Sequence, residues 1–226
     1  MIKHTLLWGL LLLVSTLALP VHAQLTKGTR YWGGTVSSQG GISKSKGEIN
    51  TYEGKGSFLS IQPELQFGRF RNASTMLGVG VRYSFRPEGS EDLTSKTQYR
   101  YLNQSIALLP YFRKYRTLND RWWLFLHTEL GTGYRWEFTR ASGVGYSNSR
   151  EAKSWQHELG IKPGIVYHFP KKGWAIEGYA NILSLSAFYT PKSPDQHRFS
   201  FTTNAGTAVP RYITLRIARY STPTSN

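Results

Sequence analysis

The sequence predicts an all-β protein: an eight-stranded antiparallel up-and-down β-barrel that crosses a membrane, preceded by a cleaved signal peptide. Three observations point there. Long segments alternate apolar and polar residues, and the connections between them are long and short by turns. After the first two dozen residues, no stretch stays apolar for the ~18 residues that a membrane helix needs.

The chain has 226 residues. MIKH supplies a basic start, LLWGLLLLVSTLAL an apolar run, and Val21 and Ala23 occupy the small-residue positions ahead of Gln24. That order marks residues 1–23 as a secretory signal peptide. Residues 24–220 are expected to form one barrel domain and residues 221–226 a short tail.

A first strand is expected near Thr29–Val36. In the next, Ile61, Pro63, Leu65 and Phe67 share a parity against Gln62, Glu64, Gln66 and Gly68. Leu77, Val79, Val81, Tyr83 and Phe85 oppose Gly78, Gly80, Arg82 and Ser84. Ile106, Leu108, Pro110 and Phe112 oppose Ser105, Ala107, Tyr111 and Arg113, with Leu109 an exception on the polar side. The fullest case is WWLFLHTELGTGYRWEF, from Trp122 to Phe138, where His127, Glu129, Arg135 and Glu137 share the face opposite Leu124, Leu126 and Leu130. Trp155, Leu159, Ile161, Ile165 and Tyr167 then oppose Glu158, Lys162 and His168. Trp174, Ile176 and Ala180 oppose Glu177 and Tyr179, and Ile213, Leu215 and Ile217 oppose Thr214 and Arg216. Successive strand side chains point to opposite faces, so each segment has one greasy and one polar face.

The connections alternate strictly. SSQGGISKSKGEINTYEGKG is long and RNAS short; RPEGSEDLTSKTQ is long and TLND short; TRASGVGYSNSREAK is long, PKKG short and TPKSPDQH fairly long. Tight turns at one end and loops at the other are the pattern of an outer-membrane barrel.

Leu124 to Tyr134 is ten steps of ~3.3 Å tilted by ~40°, a rise of about 25 Å, which matches the apolar band of such a barrel. Trp122, Tyr134, Trp136, Trp155, Tyr167 and Trp174 are the expected girdle, placed where amphipathic rings meet lipid head groups. The polar parity then faces a lumen that side chains fill. Its expected network comprises Glu64, Glu129, Glu158 and Glu177 with Arg82, Arg113, Arg135, Lys162 and Arg216. Opposite charges in comparable number predict a plug that satisfies itself by charge-assisted hydrogen bonds.

No cysteine is present, which excludes a lipid-anchored N-terminal cysteine, a disulfide scaffold and a thiolate metal site. Lysine and arginine total 28 against 13 acids, a formal charge of +15. In an exported chain that charge points to outer-membrane lipid or lipopolysaccharide, with no nucleic acid as partner. Arg69, Arg71, Lys114, Arg116, Arg121, Lys171 and Lys172 gather at the short turns against Asp120. They suit lipid phosphates, a periplasmic partner, or simply blunted strand edges.

His127, Thr128 and Glu129 are neighbours, but alternate facing prevents a triad. A serine two residues after a strand histidine, as a lipid A deacylase would need, is missing. No histidine and carboxylate cluster has ligand spacing, so neither catalysis, cofactor nor metal is expected. The sequons at Asn72 and Asn103 read as chance.

The mature start QLTKGTRYWGGTVSSQGG, then SIQPELQFGRF, MLGVGVRYSF, LLPYFRKY, FLHTELGTGYRWEF and ELGIKPGIVYHF, resembles the small outer-membrane β-barrel domain proteins common in Bacteroidota. The resemblance covers nearly all of the mature chain and rests on strand order. It implies an eight-stranded barrel with no assigned activity, so no catalytic residue is carried over. One departure stands out: Tyr220 ends a plausible last strand, ITLRIARY, but STPTSN follows it, and Pro210 interrupts what precedes it.

The leading expectation is therefore a monomeric, non-enzymatic outer-membrane barrel of structural or surface-interaction type, with an unknown partner at its long loops. One rival is a soluble lipocalin-like barrel with an apolar ligand inside, which needs the apolar parity to face inward. The other is a lipid-modifying outer-membrane enzyme.

Overall fold

A computed structural model describes residues 25–46, 53–169, 172–180, 183–193, 196–204 and 213–222. The expected signal peptide, Pro210 and residues 223–226 of the expected tail lie outside the described residues.

Every described element is a strand: β1 (Arg30–Lys46), β2 (Glu53–Asn72), β3 (Thr75–Asp92), β4 (Thr97–Thr117), β5 (Trp122–Gly143), β6 (Tyr146–Phe169), β7 (Trp174–Ala180), β8 (Leu183–Ser193), β9 (Gln196–Asn204) and β10 (Ile213–Ser221). All pairings are antiparallel, and they close a ring. The ten segments make eight staves. β7 and β8 pair with successive halves of β6 and form one stave, and β10 and β9 line up against them as the last.

The register along β6 changes by one residue between β7 and β8. Gly164 pairs with Tyr179, whereas Ile161 pairs with Leu183, so one extra residue enters the β7–β8 side between these rungs. Pro163 sits in β6 at this point and has no N–H to give to a ladder, which makes it compatible with a bulge.

The registers also fix the tilt. From Arg30, hydrogen-bonded neighbours run Arg69, Leu77, Phe112, Thr128 and Ile161. Six residues further along β6, Tyr167 leads through Ile176 and Ile217 to Gly34. Undoing that six-residue step lands on Gly40, ten residues along β1 from the start. Eight staves with a stagger of ten residues tilt by about 40° and enclose a backbone radius of about 8 Å.

The strands outrun the expectation. β1 continues to Lys46 rather than stopping near Val36. The stretches expected as long loops are mostly paired ribbon: β3 and β4 run to Asp92 and from Thr97, and β5 and β6 pair as far as Gly143 and Tyr146. Alternation reveals only the amphipathic part of a strand, so ladders with serine, glycine and arginine on both faces escaped notice. The short turns are closed by side chains. Asn72 Oδ1 accepts from Ser74 N at 3.0 Å, and Asn119 Oδ1 accepts from Arg121 N and Trp122 N, both at 2.9 Å.

The faces are sorted as the parity predicts. Leu65, Phe67, Val79, Leu108, Leu130, Ile176, Leu215 and Ile217 are exposed on the outside, while Glu64, Arg113, Glu129, Glu177 and Arg216 are buried within. The interior has two layers. Toward the short turns it is aromatic and apolar, built from Phe70, Met76, Tyr115, Trp123, Phe125, Val166 and Tyr220. Beyond that layer it becomes ionic. Phe70, Trp123 and Phe125 share the inward parity with the charges.

One turn glycine carries a testable constraint. Gly173 has φ +66°, its carbonyl accepts from Tyr220 N at 2.7 Å, and a Cβ there would stand 2.6 Å from the Tyr220 carbonyl oxygen. Gly173→Ala is expected to cost about 1–2 kcal/mol, read as a lower urea midpoint of the refolded barrel with an unchanged slope.

Candidate functional site

The interior ion cluster is the chemically richest part of the molecule. Arg113, from β4, is fully buried. Its Nη1 donates to both oxygens of Glu177 at 3.0 and 3.2 Å and to Tyr115 Oη at 2.9 Å; its Nη2 donates to Gln66 Oε1 at 2.8 Å. The guanidinium lies 4.6 Å over the Phe125 ring. Arg216, from β10, gives Nη1 to Gln66 Oε1 at 2.8 Å and Nη2 to Glu64 Oε1 at 2.7 Å and Tyr179 Oη at 3.0 Å. Arg82, from β3, is the third junction. Its Nε meets Glu64 Oε2 at 2.8 Å, its Nη2 meets Glu129 Oε1 at 2.9 Å, and its Nη1 bonds Glu158. Lys162 also bonds Glu129.

Each arginine therefore ties together staves that are not neighbours in the sheet. Arg113 joins β4 to β2 and β7, and Arg82 joins β3 to β5 and β6. Glu64, Glu129, Glu158 and Glu177 face Arg82, Arg113, Lys162 and Arg216, four charges of each sign. Such pairs are tolerable away from water because most of their remaining donors and acceptors are also met, Arg216 Nε being the buried donor of the cluster without a hydrogen-bond partner.

His127 is wired into the cluster as a neutral ring. Arg113 Nε can only donate, so His127 Nδ1 accepts at 3.1 Å, and Nε2 carries the proton toward Glu129 Oε2 at 2.9 Å. Thr128 is on the other face, in line with the expectation that these three neighbours make no triad.

Glu177 is held from four sides. Besides Arg113, it accepts from Tyr31 Oη at 3.0 Å and Tyr220 Oη at 2.6 Å, and Arg216 Nη1 stands 3.6 Å away. Sequence reasoning missed Gln66, His127 and the tyrosines Tyr31, Tyr115, Tyr179 and Tyr220 as members of the network. Their signal was available, since each shares the inward parity with the charged residues.

Arg135 is the expected member that stands apart. It pairs with Glu137 at 2.7 Å and donates to Tyr101 Oη at 3.3 Å, beyond the cluster on the long-hairpin side. Between it and Arg82 lies an open vestibule of about 300 Å³, lined by Gln62, Ser84, Asn103, Gln156 and Glu158 among others.

Close packing depends on small residues opposite large ones. A Cβ on Gly131 would come 2.4 Å from Glu158 Cγ and 3.0 Å from Leu109 Cδ2. The inward Leu109, which broke the expected polar parity, therefore fits against the face that Gly131 leaves bare. Tyr111 crosses over Gly78 in the same way, its Oη donating to the Phe67 carbonyl at 3.1 Å.

The six expected girdle residues separate into two groups. Trp122 packs on Tyr167 with centroids 4.8 Å apart, and Trp174 meets Trp32 edge-on at 5.3 Å, all toward the short turns. Tyr134 contacts Trp136 at 4.9 Å and Trp155 at 5.2 Å, toward the long hairpins. Trp32 was missed because GGTVSS leaves its strand with little alternation to read. Among the described residues, no group of histidines and carboxylates is arranged to hold a metal ion.

No family model matches this chain, and no curated protein matches it. Solved structures that are similar in part include the following two. The translocator domain of the autotransporter NalP from Neisseria meningitidis matches with a TM-score of 0.41 at 17% identity, covering 99% of this chain and 71% of that one. Ail, the attachment invasion locus protein of Yersinia pestis, matches with a TM-score of 0.37 at 16% identity, covering 86% of this chain and 99% of that one. Neither likeness is close enough to carry an activity over.

The ion cluster makes an asymmetric prediction. Arg113→Met leaves Glu177 buried without its main partner and is expected to cost about 3–5 kcal/mol. The double variant Arg113→Met/Glu177→Gln removes the orphaned charge and should recover more than half of that loss. Urea unfolding of the three refolded proteins, followed by tryptophan fluorescence, measures both values.

Proposed function

We propose that this chain is an exported, integral outer-membrane β-barrel. It acts in a structural or surface-interaction role through its long hairpins, with a lumen closed by its own side chains. One observation carries the reading: the molecule is inside out for water. Its fully buried side chains include Arg113 and Glu177, while Leu65, Phe67, Leu130, Leu215 and Ile217 are each more than half exposed on the outer face. A lipocalin-like barrel needs the opposite sorting. Lipid explains both faces, and a closed antiparallel ring is one of the two ways a chain satisfies its backbone in hydrocarbon.

Aromatic groups at two levels of the outer face suit the two head-group regions. The apolar layer and the neutral ion cluster in series leave little room for a continuous water path, which favours a plugged lumen over a channel. The reading includes a signal peptide, a monomeric barrel, outer-membrane lipid as surroundings and lipopolysaccharide as a contact. It assigns no catalytic activity and no cofactor. The strand-order similarity to the small Bacteroidota barrels supports the barrel and leaves the role and the partner of the hairpins open.

The test is gel mobility of residues 24–226 refolded in detergent, boiled against unboiled, with circular dichroism on the same samples. A β-spectrum with a heat-modifiable band, obtained only with detergent or lipid, is expected. A monodisperse β-protein without detergent would sink the membrane reading. In planar bilayers the folded protein is expected to give no steady conductance. A regular open channel would remove the plug while leaving the barrel.

A further inference from the structure

We infer that the short-turn rim carries a binding site for a glycerophospholipid phosphate, built by Arg30, Arg69 and Arg219 on the outer face of the closing seam. This rests on the membrane reading above and deepens it by naming a lipid class and a place.

Registers bring the three arginines together. Arg30 on β1 is directly opposite Arg69 on β2, two outward cations in adjacent strands. One outward row above, Trp32 is opposite both Phe67 on β2 and Arg219 on β10, and Arg219 is opposite Trp174 on β7. All three arginines are exposed, and no described carboxylate pairs with them. The acid at this rim, Asp120, sits in the β4–β5 turn, away from the seam. Directly opposed like charges, with Cβ atoms ~5 Å apart, repel unless something neutralises them.

The frame around them selects what does so. Trp32 and Trp174 meet edge-on at 5.3 Å, and the Arg219 guanidinium lies 5.8 Å from the Trp174 ring centroid. Above this row the outward residues of the same strands are Leu65, Ile176 and Ile217, each exposed. An anion held by the arginines thus lies at the lower edge of a continuous apolar surface. A free phosphate would use the cations and waste that surface. A phospholipid uses both, its phosphate on the arginines, its glycerol beside the tryptophans and its chains on the leucine and isoleucines.

The test is native mass spectrometry of the refolded mature chain in dodecyl maltoside with dioleoylphosphatidylglycerol. Retention of one lipid is expected. Arg69→Gln should weaken it about fivefold, and Arg30→Gln/Arg69→Gln/Arg219→Gln on the order of a hundredfold. The control Arg100→Gln/Arg140→Gln/Lys153→Gln removes the same charge from the opposite rim and should change retention by less than about twofold. Dioleoylglycerol, which lacks the phosphate, should not be retained, and millimolar inorganic phosphate should not displace the phospholipid.

Equal loss in both triple variants would reduce the effect to net charge and overturn the site. Displacement by inorganic phosphate would make it a plain anion site and overturn the lipid assignment. A heat-modifiable barrel that retains no phospholipid sinks this site alone, whereas absence of a detergent-dependent barrel sinks the membrane reading with it. The heat-modifiable band of each variant reports that it has folded.

Discussion

Closure of the backbone ladder is the condition on which the rest of this structure depends. A strand has a donor and an acceptor on each side, and an antiparallel ring leaves no side open. Where the surroundings offer no water, that closure removes a cost of several kcal/mol for each group otherwise left unmet. Once the ring exists, alternate residues have only two destinations. The outside takes leucine, isoleucine, valine and aromatics, and the inside must receive everything polar that remains.

The inside accommodates that demand by sorting along the axis. The half near the short turns is filled by rings and aliphatic groups around Trp123 and Phe70, and the charges are gathered in the next layer. Equal numbers of acids and bases make that layer neutral as a unit, and the tyrosine hydroxyls and Gln66 take up bonds that the ions leave over. The cluster is also a brace. Arg113, Arg82 and Arg216 each span the lumen, so shearing one stave against another would break charge-assisted bonds as well as ladder bonds. Glycines such as Gly131 and Gly78 are the complement of this crowding, since long side chains lie where their Cβ atoms would be.

Much of this was legible in the sequence, for a definable reason. Period-two alternation is a local property, and in this fold it equals the inside–outside division, so the inward facing of Glu64, Arg113, Glu129 and Glu177 could be read directly. Partnerships could not. That Arg113 meets Glu177 rather than Glu129 depends on a ten-residue stagger summed over eight registers, and no single strand encodes it. His127 shows the limit from the other side: its parity was plain, but its role as a neutral link between Arg113 and Glu129 needs the three-dimensional placement of both. The long connections misled because their ladders carry polar residues on both faces, so the pairing of Arg100 with Arg140 left no periodic mark.

Among the described residues, the seam between first and last strands is short. β1 and β10 share five rungs, from Arg30–Ser221 to Gly34–Ile217, followed by a bond from Thr35 Oγ1 to the Leu215 carbonyl at 2.6 Å. These partners lie at opposite ends of the chain, while every other junction joins strands that follow one another or nearly so. Chain-closure entropy therefore places this seam last in assembly, after the hairpins have already zipped. Until it shuts, the growing sheet has two bare edges, one from β1 and one from β10, each a template for pairing with whatever strand it meets. A seam that shuts last leaves those two edges exposed longest, so the hazard of mispairing belongs to assembly rather than to the closed ring.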